Sequence, residues 1–256
     1  MKASLAVQLY TLRHELDLDF PGVLQQLKSM GWAGIELAGY HGHSAEQVAA
    51  WLRETDLQAA GMHVGYERLV GELQSVTEEA LIFGLKHLVC PGTPMELRSP
   101  DGYRQVKQKL QEVAGILESK GIVLSYHNHA FEFDVYVEGR PALEYLLDDS
   151  NASGLKAETD VYWIRKAGYD PAEYLNRYTG RAPLLHLKDM AVDGTEDYAE
   201  IGTGLISFDP ILEWGMENGV EWFIVEQDEC KGPAMDSLGI SYANLVNRIT
   251  KILENQ

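Results

Sequence analysis

Short apolar runs alternate along this chain with longer runs in which apolar positions recur every three or four residues. Short apolar runs bounded by turn residues are typical of buried strands, and the longer pattern is typical of helices that bury one face. The predicted strands are residues 4–10, 34–38, 57–64, 86–92, 122–129, 154–160, 182–190 and 221–228. The predicted helices are residues 21–31, 44–56, 71–84, 101–121, 140–150, 170–180, 208–219 and 241–256. The chain is therefore predicted to repeat a strand-then-helix unit eight times.

Residues with strong preferences for helix ends support several of these boundaries. Pro21 and Gly31 are expected to begin and end the first helix, because proline suits a first helical turn and glycine suits the position after the last. Ser44 is expected to cap the second helix. Asp170 and Pro171 mark the start of a later helix in the same way. These signals agree with a helix after each strand.

The number of units and the length of the chain predict the fold class. Eight units in 256 residues match the usual size of a (β/α)8 TIM barrel, an α/β fold with a closed inner barrel of parallel strands. An open, doubly wound sheet is the competing α/β fold. The first strand is not followed by a glycine-rich dinucleotide fingerprint, which weakens the nucleotide-binding form of that alternative. We therefore expect a single TIM-barrel domain over residues 1–256.

The charge of the chain narrows the classes of partner. There are 39 acidic and 21 basic residues, and the formal net charge is −18. A field of that sign repels phosphate backbones, so we expect no nucleic-acid partner. The two cysteines suit a reducing compartment, and no apolar run approaches the roughly 20 residues that span a bilayer. We expect a cytoplasmic protein with no membrane partner.

Polar side chains collect where the predicted strands end. In a TIM barrel the carboxyl ends of the strands meet at one face, and catalytic groups gather there. The residues at or near these ends include Gln8, Glu36, His63, His127, Asn128, His129, Glu132, Asp160, His186, Lys188, Glu226 and Asp228. The sequence therefore predicts a polar site at the carboxyl face.

The alternation of strand side chains sorts this polar set by direction. His186 and Lys188 share one face of their strand, and Glu226 and Asp228 share one face of theirs. The late strands can therefore direct imidazoles and carboxylates toward one place. A mixed set of nitrogen and oxygen donors suits a borderline divalent ion such as Mn²⁺, Co²⁺ or Zn²⁺ better than an all-oxygen Mg²⁺ site.

Six segments resemble a known family. They are "VQLYTLR" at the start, "YHNHAFEF" on the fifth strand, "ETDVYWIRKAG" on the sixth, "PLLHLKDM" on the seventh, "IGTGLISF" in the following loop and "WFIVEQD" on the eighth. Together they resemble the sugar phosphate isomerase/epimerase superfamily, the xylose isomerase-like TIM barrels, and the resemblance covers the whole chain. This group also includes DNA-repair enzymes of the endonuclease IV type.

The resemblance implies one divalent metal ion held by a Glu, Asp, His and Glu from strands five to eight. By motif, the last three metal ligands are Asp160, His186 and Glu226. Glu132, a carboxylate at the end of strand five, is expected to be the first ligand, with His127 or His129 as substitute. Because Glu132 is out of phase with the inward side chains of its strand, this expectation requires a bulge or turn just before it.

The resemblance also implies the chemistry. The expected protein is a metal-dependent sugar isomerase or epimerase that acts on a keto-sugar or related polyol through a metal-stabilised enediolate. Glu132 and Glu226 are the expected catalytic pair, which would remove and return a proton on either side of a substrate carbon. The expected substrate-binding residues are His63, His127, His129, Trp163 and Lys188.

Three other functions remain open at this point. A metal-dependent dehydratase or lyase acting on a keto-sugar or inosose would use the same ion, with an imidazole protonating the leaving group. An abasic-site endonuclease is disfavoured by the negative charge of the chain. A non-catalytic sugar-binding barrel would have lost its ion. For the isomerase, the dehydratase and the sugar-binding barrel alike, the expected partner is a small carbohydrate. The resemblance also suggests a homo-oligomer.

Overall fold

The computed structural model describes residues 4–148 and 154–255 and contains a closed barrel of eight parallel strands. The strands, here β1 to β8, are Ser4–Gln8, Gly34–Leu37, Gln58–His63, His87–Cys90, Val123–His127, Lys156–Asp160, Leu184–Leu187 and Trp222–Val225. Each strand pairs with its neighbours in chain order, and β8 closes the barrel by pairing with β1. This topology confirms the predicted TIM barrel and excludes the open doubly wound sheet.

All eight strands lie inside their predicted ranges, but each is shorter than predicted. The residues that follow β7 illustrate the reason. Asp189–Met190 leaves the barrel and pairs antiparallel with Tyr198–Ala199, so the seventh predicted strand is divided between the barrel and a small ribbon. A second small ribbon pairs Tyr136–Val137 with Arg140–Pro141. The carboxyl ends of seven of the eight predicted strands thus belong to loops above the barrel.

Helices surround the barrel and fill several of its loops. The α-helices are Arg13–Met30, Ala45–Thr55, Tyr66–Gly71, Leu73–Phe83, Pro100–Glu118, Phe131–Asp134, Ala142–Leu146, Val161–Lys166, Pro171–Tyr174, Phe208–Glu217 and Ala234–Glu254. The 3₁₀ turns are Leu9–Leu12, Met95–Leu97 and Leu175–Tyr178. Positions 149–150 and 256, predicted to be helical, lie outside the described residues. Within the described ranges, no helix is both long and apolar enough to cross a membrane.

The first helix begins at Arg13, so the predicted start at Pro21 is wrong. The signal at Pro21 has a local cause, because the helix is kinked at Asp19, whose φ and ψ are −153° and 78°. An Asp19 carboxylate oxygen accepts the Gly22 N–H at 3.0 Å, as a cap does at a helix start. Pro21 therefore occupies the first turn of the segment after the kink. The predicted end at Gly31 is confirmed by its φ of +105°.

Other helices differ from prediction at loops around the carboxyl face. The short helices Phe131–Asp134 and Val161–Lys166 follow β5 and β6 directly, where no helix was predicted. The third predicted helix is divided at Glu72, and the last begins at Ala234 rather than at position 241. Such short helices contain too few turns to show a helical period in the sequence.

The interior of the barrel changes from apolar to polar along the strands. An inner cluster of buried side chains fills the lower barrel: Ala6, Ala60, Val89, Leu184 and Ile224. Two residues further along β1, β7 and β8, the same inward faces carry Gln8, His186 and Glu226, all buried. The polar site therefore begins directly above an apolar floor.

Candidate active site

Four buried side chains from consecutive barrel strands meet at the carboxyl face. Potential ligand atoms of His127, Asp160, His186 and Glu226 all lie within 4.8 Å of one another. His186 Nδ1 is 3.3 Å from Glu226 Oε2, and His127 Nε2 is 3.9 Å from Asp160 Oδ2. The structure thus brings together three of the four predicted metal ligands, with His127 as the fourth.

Asp160 is held so that one carboxylate oxygen remains free of hydrogen bonds. Its Oδ1 accepts the N–H groups of Tyr162 and Trp163 and so caps the helix that follows β6. The Asn128 side chain accepts the Asp160 N–H at 2.9 Å and donates to its carbonyl oxygen. Oδ2 is buried without a hydrogen-bond partner and has the Lys188 ammonium at 3.3 Å as its nearby charge.

These four residues fit a divalent metal ion. Two imidazoles and two carboxylates form the mixed donor set that Mn²⁺, Co²⁺ and Zn²⁺ accept. Asp160 Oδ2 accepts no hydrogen bond, so it is available to an ion although the Lys188 ammonium lies 3.3 Å away. Lys188 is shared among three carboxylates, so a divalent ion would further balance their negative charge.

Glu132 does not lie with these ligands, which corrects the expectation for strand five. The turn expected near Ala130 is present, because residues 131–134 form a short helix. That helix directs the carboxylate back against β5, where Oε1 accepts the Tyr126 hydroxyl at 2.7 Å and Oε2 accepts the His129 N–H at 2.8 Å. Burial raises the pKa of Glu132 to about 8. Among the described residues, Glu132 belongs to no potential metal cluster, and His127 provides the donor from β5.

A cavity of about 600 Å³ opens above the ligands. Its lining includes the five residues predicted to bind substrate, namely His63, His127, His129, Trp163 and Lys188. It also includes Asp228, which was expected at the polar end of its strand, and residues that the sequence analysis did not select, among them Ala38, Tyr198 and Glu229. Tyr198 lies on the loop after β7, whose contribution could not be predicted from strand alternation.

Lys188 provides a buried positive charge at the cavity. Its Nζ lies 2.9 Å from Glu226 Oε2 and 3.0 Å from Asp228 Oδ1. Burial alone would lower the pKa of Lys188, but the carboxylates of Glu226, Asp160 and Asp228 outweigh burial and hold that pKa well above its usual range. Burial likewise opposes the shift at Glu226, where Lys188 and His186 lower the pKa. The two groups are therefore a charged pair.

His129 carries no charge at neutral pH. Burial, followed by the positive charge of Lys188, lowers the pKa of His129 to about 3. Its ring packs against Phe131 and Trp163, with centroids 5.2 Å from each. It is therefore a neutral imidazole that can exchange hydrogen bonds with a ligand in the cavity.

Two further carboxylates, Glu36 and Glu158, lie beneath the ligands. His63 Nε2 is 2.7 Å from Glu158 Oε2 and 3.2 Å from Glu36 Oε2. Burial opposes ionisation of Glu36, but the charges of His63 and His186 lower the pKa of Glu36 well below its usual value. At Glu158 the shift is in the other direction, because burial and then the charge of Glu36 raise its pKa to about 7. The sequence analysis placed Glu36 among the polar residues at the strand ends but assigned a role at the site to neither residue. The sequence did contain one indication that Glu158 belongs to the site, because strand alternation places it on the same face of β6 as Asp160.

The loop after β7 is fixed by the buried carboxylate of Asp189. This carboxylate accepts the N–H groups of Met190, Gly202, Gly204 and Ile206 at 2.8–3.1 Å. A side chain at Gly204 would lie 2.2 Å from the Met190 carbonyl oxygen, which explains the glycine. The anchored loop carries Tyr198 to the cavity.

Comparisons with known proteins agree with this architecture. A family model described as the xylose isomerase-like TIM barrel matches residues 24–239. An inosose dehydratase of Geobacillus kaustophilus is 26% identical over 249 residues, which covers 81% of this chain and 79% of that protein.

Solved structures give the same fold. A sugar phosphate isomerase/epimerase of Parabacteroides distasonis has a TM-score of 0.82 at 22% identity, covering 96% of this chain and 94% of the other. A probable 3-DHS dehydratase of Bacillus anthracis has a TM-score of 0.76 at 16% identity, covering 97% and 100%. The family match spans most of the chain and includes all four clustered residues. The chain belongs to the xylose isomerase-like TIM barrel family.

Proposed function

We propose that this protein is a metal-dependent dehydratase that removes water from a polyhydroxy ketone, an inosose or a keto-sugar. The observation that carries the proposal is the contact between Glu226 and Lys188, whose carboxylate and ammonium lie 2.9 Å apart at the cavity. A base and an acid side by side suit the removal of a proton and of a hydroxyl group from neighbouring carbons. The expected second carboxylate, Glu132, has both oxygens engaged away from the cavity.

The proton movements can be assigned to atoms of this chain. The Glu226 carboxylate takes the proton from the carbon beside the substrate carbonyl. Lys188 Nζ donates a proton to the departing hydroxyl, which leaves as water as the carbon–carbon double bond forms. The proton on Glu226 then returns to the neutral Lys188 amine across the 2.9 Å contact. The pair thereby recovers its original charges.

The remaining side chains bind and orient the substrate. His127, Asp160, His186 and Glu226 would hold one divalent ion, which supplies stabilisation of negative charge on a substrate oxygen. Neutral His129 can exchange a hydrogen bond with a hydroxyl group, and Trp163 offers an aromatic face to the apolar side of a ring. Acidic groups surround Lys188, so an uncharged substrate suits the cavity better than a phosphorylated one.

The curated relatives support a dehydratase. Two inosose dehydratases, from Geobacillus kaustophilus and Clostridium beijerinckii, are each 26% identical to this chain over the aligned parts. The reaction of those proteins is carried to this chain as part of the proposal.

A panel of inososes and unphosphorylated keto-sugars, followed by NMR in D₂O and by mass spectrometry, tests the proposal. The protein should be supplied in turn with Mn²⁺, Co²⁺ and Zn²⁺. We expect ion-dependent loss of one water molecule from at least one substrate. A product of unchanged composition, with deuterium incorporated from solvent, would instead identify an isomerase or epimerase.

That isomerase or epimerase is the second candidate function. The observation in its favour is that His129 lines the same cavity as Glu226, so two groups could exchange a proton with one substrate carbon. The first proton abstraction is common to both candidates, and the mass of the product separates them.

A further inference from the structure

Each histidine of the ligand cluster presents one ring nitrogen to the cluster and the other to a buried glutamate. His186 has Nδ1 at 3.3 Å from Glu226 and Nε2 at 2.7 Å from Glu36 Oε2. His127 has Nε2 at 3.9 Å from Asp160 and Nδ1 at 3.1 Å from Glu158 Oε2. The two imidazoles therefore have the same arrangement, with opposite ring nitrogens facing the cluster.

This arrangement matters because a neutral imidazole carries its proton on only one nitrogen. The nitrogen that binds a metal ion must be unprotonated, and the other nitrogen usually donates its N–H to a carboxylate or carbonyl group. A carboxylate placed at the second nitrogen selects the tautomer and fixes the orientation of the ring.

We propose that Glu36 and Glu158 are positioning residues of the metal centre. Glu36 holds the proton of His186 on Nε2, so that Nδ1 faces the ion. Glu158 holds the proton of His127 on Nδ1, so that Nε2 faces the ion. This inference rests on the proposed function, because it assumes that His127 and His186 bind an ion.

The surroundings of Glu36 are built to keep its carboxylate in place. Gln8 Nε2 donates to Glu36 Oε2 at 2.8 Å, from the neighbouring strand β1. On the other side, a Cβ atom at position 61 would lie 2.5 Å from Glu36 Oε1. Gly61 on β3 is thus the residue type that leaves room for this carboxylate.

His63 connects the two glutamates. Its Nε2 lies 2.7 Å from Glu158 and 3.2 Å from Glu36. Both glutamates are therefore anchored independently of the histidines that they orient.

Residues beneath the ligand cluster could instead form a second metal site. His63, His127, Glu158 and His186 also have potential ligand atoms within 4.8 Å of one another. However, His63 Nε2 lies 2.7 Å from Glu158 Oε2, which is the length of a direct hydrogen bond, and His186 Nε2 faces Glu36, outside this group, at the same distance. Ligand atoms on a tetrahedral ion with bonds of about 2.1 Å lie roughly 3.4 Å apart. The short distance between His63 and Glu158 is therefore typical of a hydrogen bond rather than of two ligands on a second ion.

Nitrogen-15 NMR of the Zn²⁺-loaded full-length protein tests the tautomers directly. The chain has eight histidines, so the ring signals can be assigned by single substitutions. We expect His186 to keep a proton on Nε2 with Nδ1 bound to zinc, and His127 to show the reverse. Any other tautomer at either ring would overturn the assignment for that glutamate. This measurement needs no Glu36 or Glu158 variant, so it remains possible even if such variants do not fold.

Zn²⁺ affinity, measured by competition with a chromophoric chelator, tests the energetic role. Glu36→Gln and Glu158→Gln should each weaken zinc binding by about 10- to 100-fold. Glu221→Gln is the matched control, because Glu221 also contacts a histidine, His87, but at the opposite end of the barrel. It should leave zinc affinity unchanged. Unchanged affinity in both test variants would overturn the inference.

The outcomes separate this inference from the proposed function. A wild-type protein that binds no divalent ion would overturn both. One zinc ion per chain with the expected tautomers supports the positioning role whatever reaction is found, and the product panel alone then decides the proposed dehydration. Two zinc ions per chain would overturn the positioning role and assign the residues beneath the ligand cluster to a second metal site.

Discussion

The Lys188 ammonium lies 2.9 Å from the Glu226 carboxylate, and both side chains are buried at the carboxyl face of the barrel. Burial of a single charge is costly, whereas a buried pair with further partners can be stable. Lys188 also faces Asp160 and Asp228, so one ammonium group is shared among three carboxylates. This excess of negative charge leads to predictions for both catalysis and stability.

Lys188→Met should lower turnover by roughly 10²- to 10⁴-fold, the usual contribution of a positioned acid or base. The variant should still bind a divalent ion, because Lys188 is not a ligand. The check is steady-state kinetics on the substrate found by the NMR panel, together with metal analysis. Lys166→Met is the control, since Lys166 also lies near Tyr162 and Trp163 but outside the cavity lining. Full turnover by Lys188→Met would remove Lys188 from the mechanism.

The stability of Lys188→Met should depend strongly on the ion. Without the ammonium, the buried carboxylates lose their balancing charge, so we expect unfolding in chelator to require roughly 3–5 kcal/mol less free energy than in the wild type. Added divalent ion should restore most of this loss, because a ligand that binds only the folded state stabilises it. Denaturant titrations with chelator and with ion measure the difference. Equal losses in both conditions would contradict a metal site beside Lys188.

Glu226→Gln should lose ion affinity and turnover together. The amide keeps the shape of the side chain but removes the negative charge that faces His186 and Lys188. We expect turnover to fall by roughly 10²-fold or more and ion occupancy to drop, measured by kinetics and metal analysis. Glu213→Gln is the control, since Glu213 is exposed on the helix Phe208–Glu217 and lies outside the cavity lining. Full turnover with full ion content in Glu226→Gln would exclude its assigned role.

Glu132→Gln should keep the ion and change how stability depends on pH. The pKa of Glu132 is raised from 4.5 to about 8, so the folded state holds a proton that the unfolded chain releases above about pH 4.5. The stability contributed by this proton is complete below pH 4.5 and is lost as pH rises to about 8. The glutamine variant should therefore lose less stability than the wild type between these values. Denaturant titrations at pH 5 and pH 8 measure the difference, and loss of the ion in this variant would restore Glu132 as a ligand.

The barrel and the meeting of three expected metal ligands could be predicted from the sequence, because both follow from repetition. The strands recur with a fixed period, and the carboxyl ends of parallel strands must meet at one face. Asp160, His186 and Glu226 stand at those ends, so their convergence follows from the fold alone. The positions of side chains in the loops do not follow from this repetition.

Glu132 and Glu36 show why the remainder of the site could not be predicted. The direction of Glu132 depends on one short helical turn and on the Tyr126 hydroxyl, neither of which has a periodic signal. Glu36 lies inside a strand, where an acidic residue has no evident partner until the three-dimensional positions of Gln8 and His186 are known. Contacts between residues far apart in sequence therefore decide which of the many strand-end groups belong to the site.

Asp189→Asn should destabilise the loop after β7 and weaken substrate binding. The carboxylate accepts four backbone N–H groups, and an amide has only one acceptor oxygen to offer them. Leaving buried donors unsatisfied should cost about 2–4 kcal/mol of unfolding free energy. Because this loop carries Tyr198 into the cavity, KM should rise more than kcat falls. Asp193→Asn, at an exposed position of the same loop, should change stability by less than about 0.5 kcal/mol. Equal stability and equal KM in the Asp189 and Asp193 variants would mean that Asp189 does not anchor the loop.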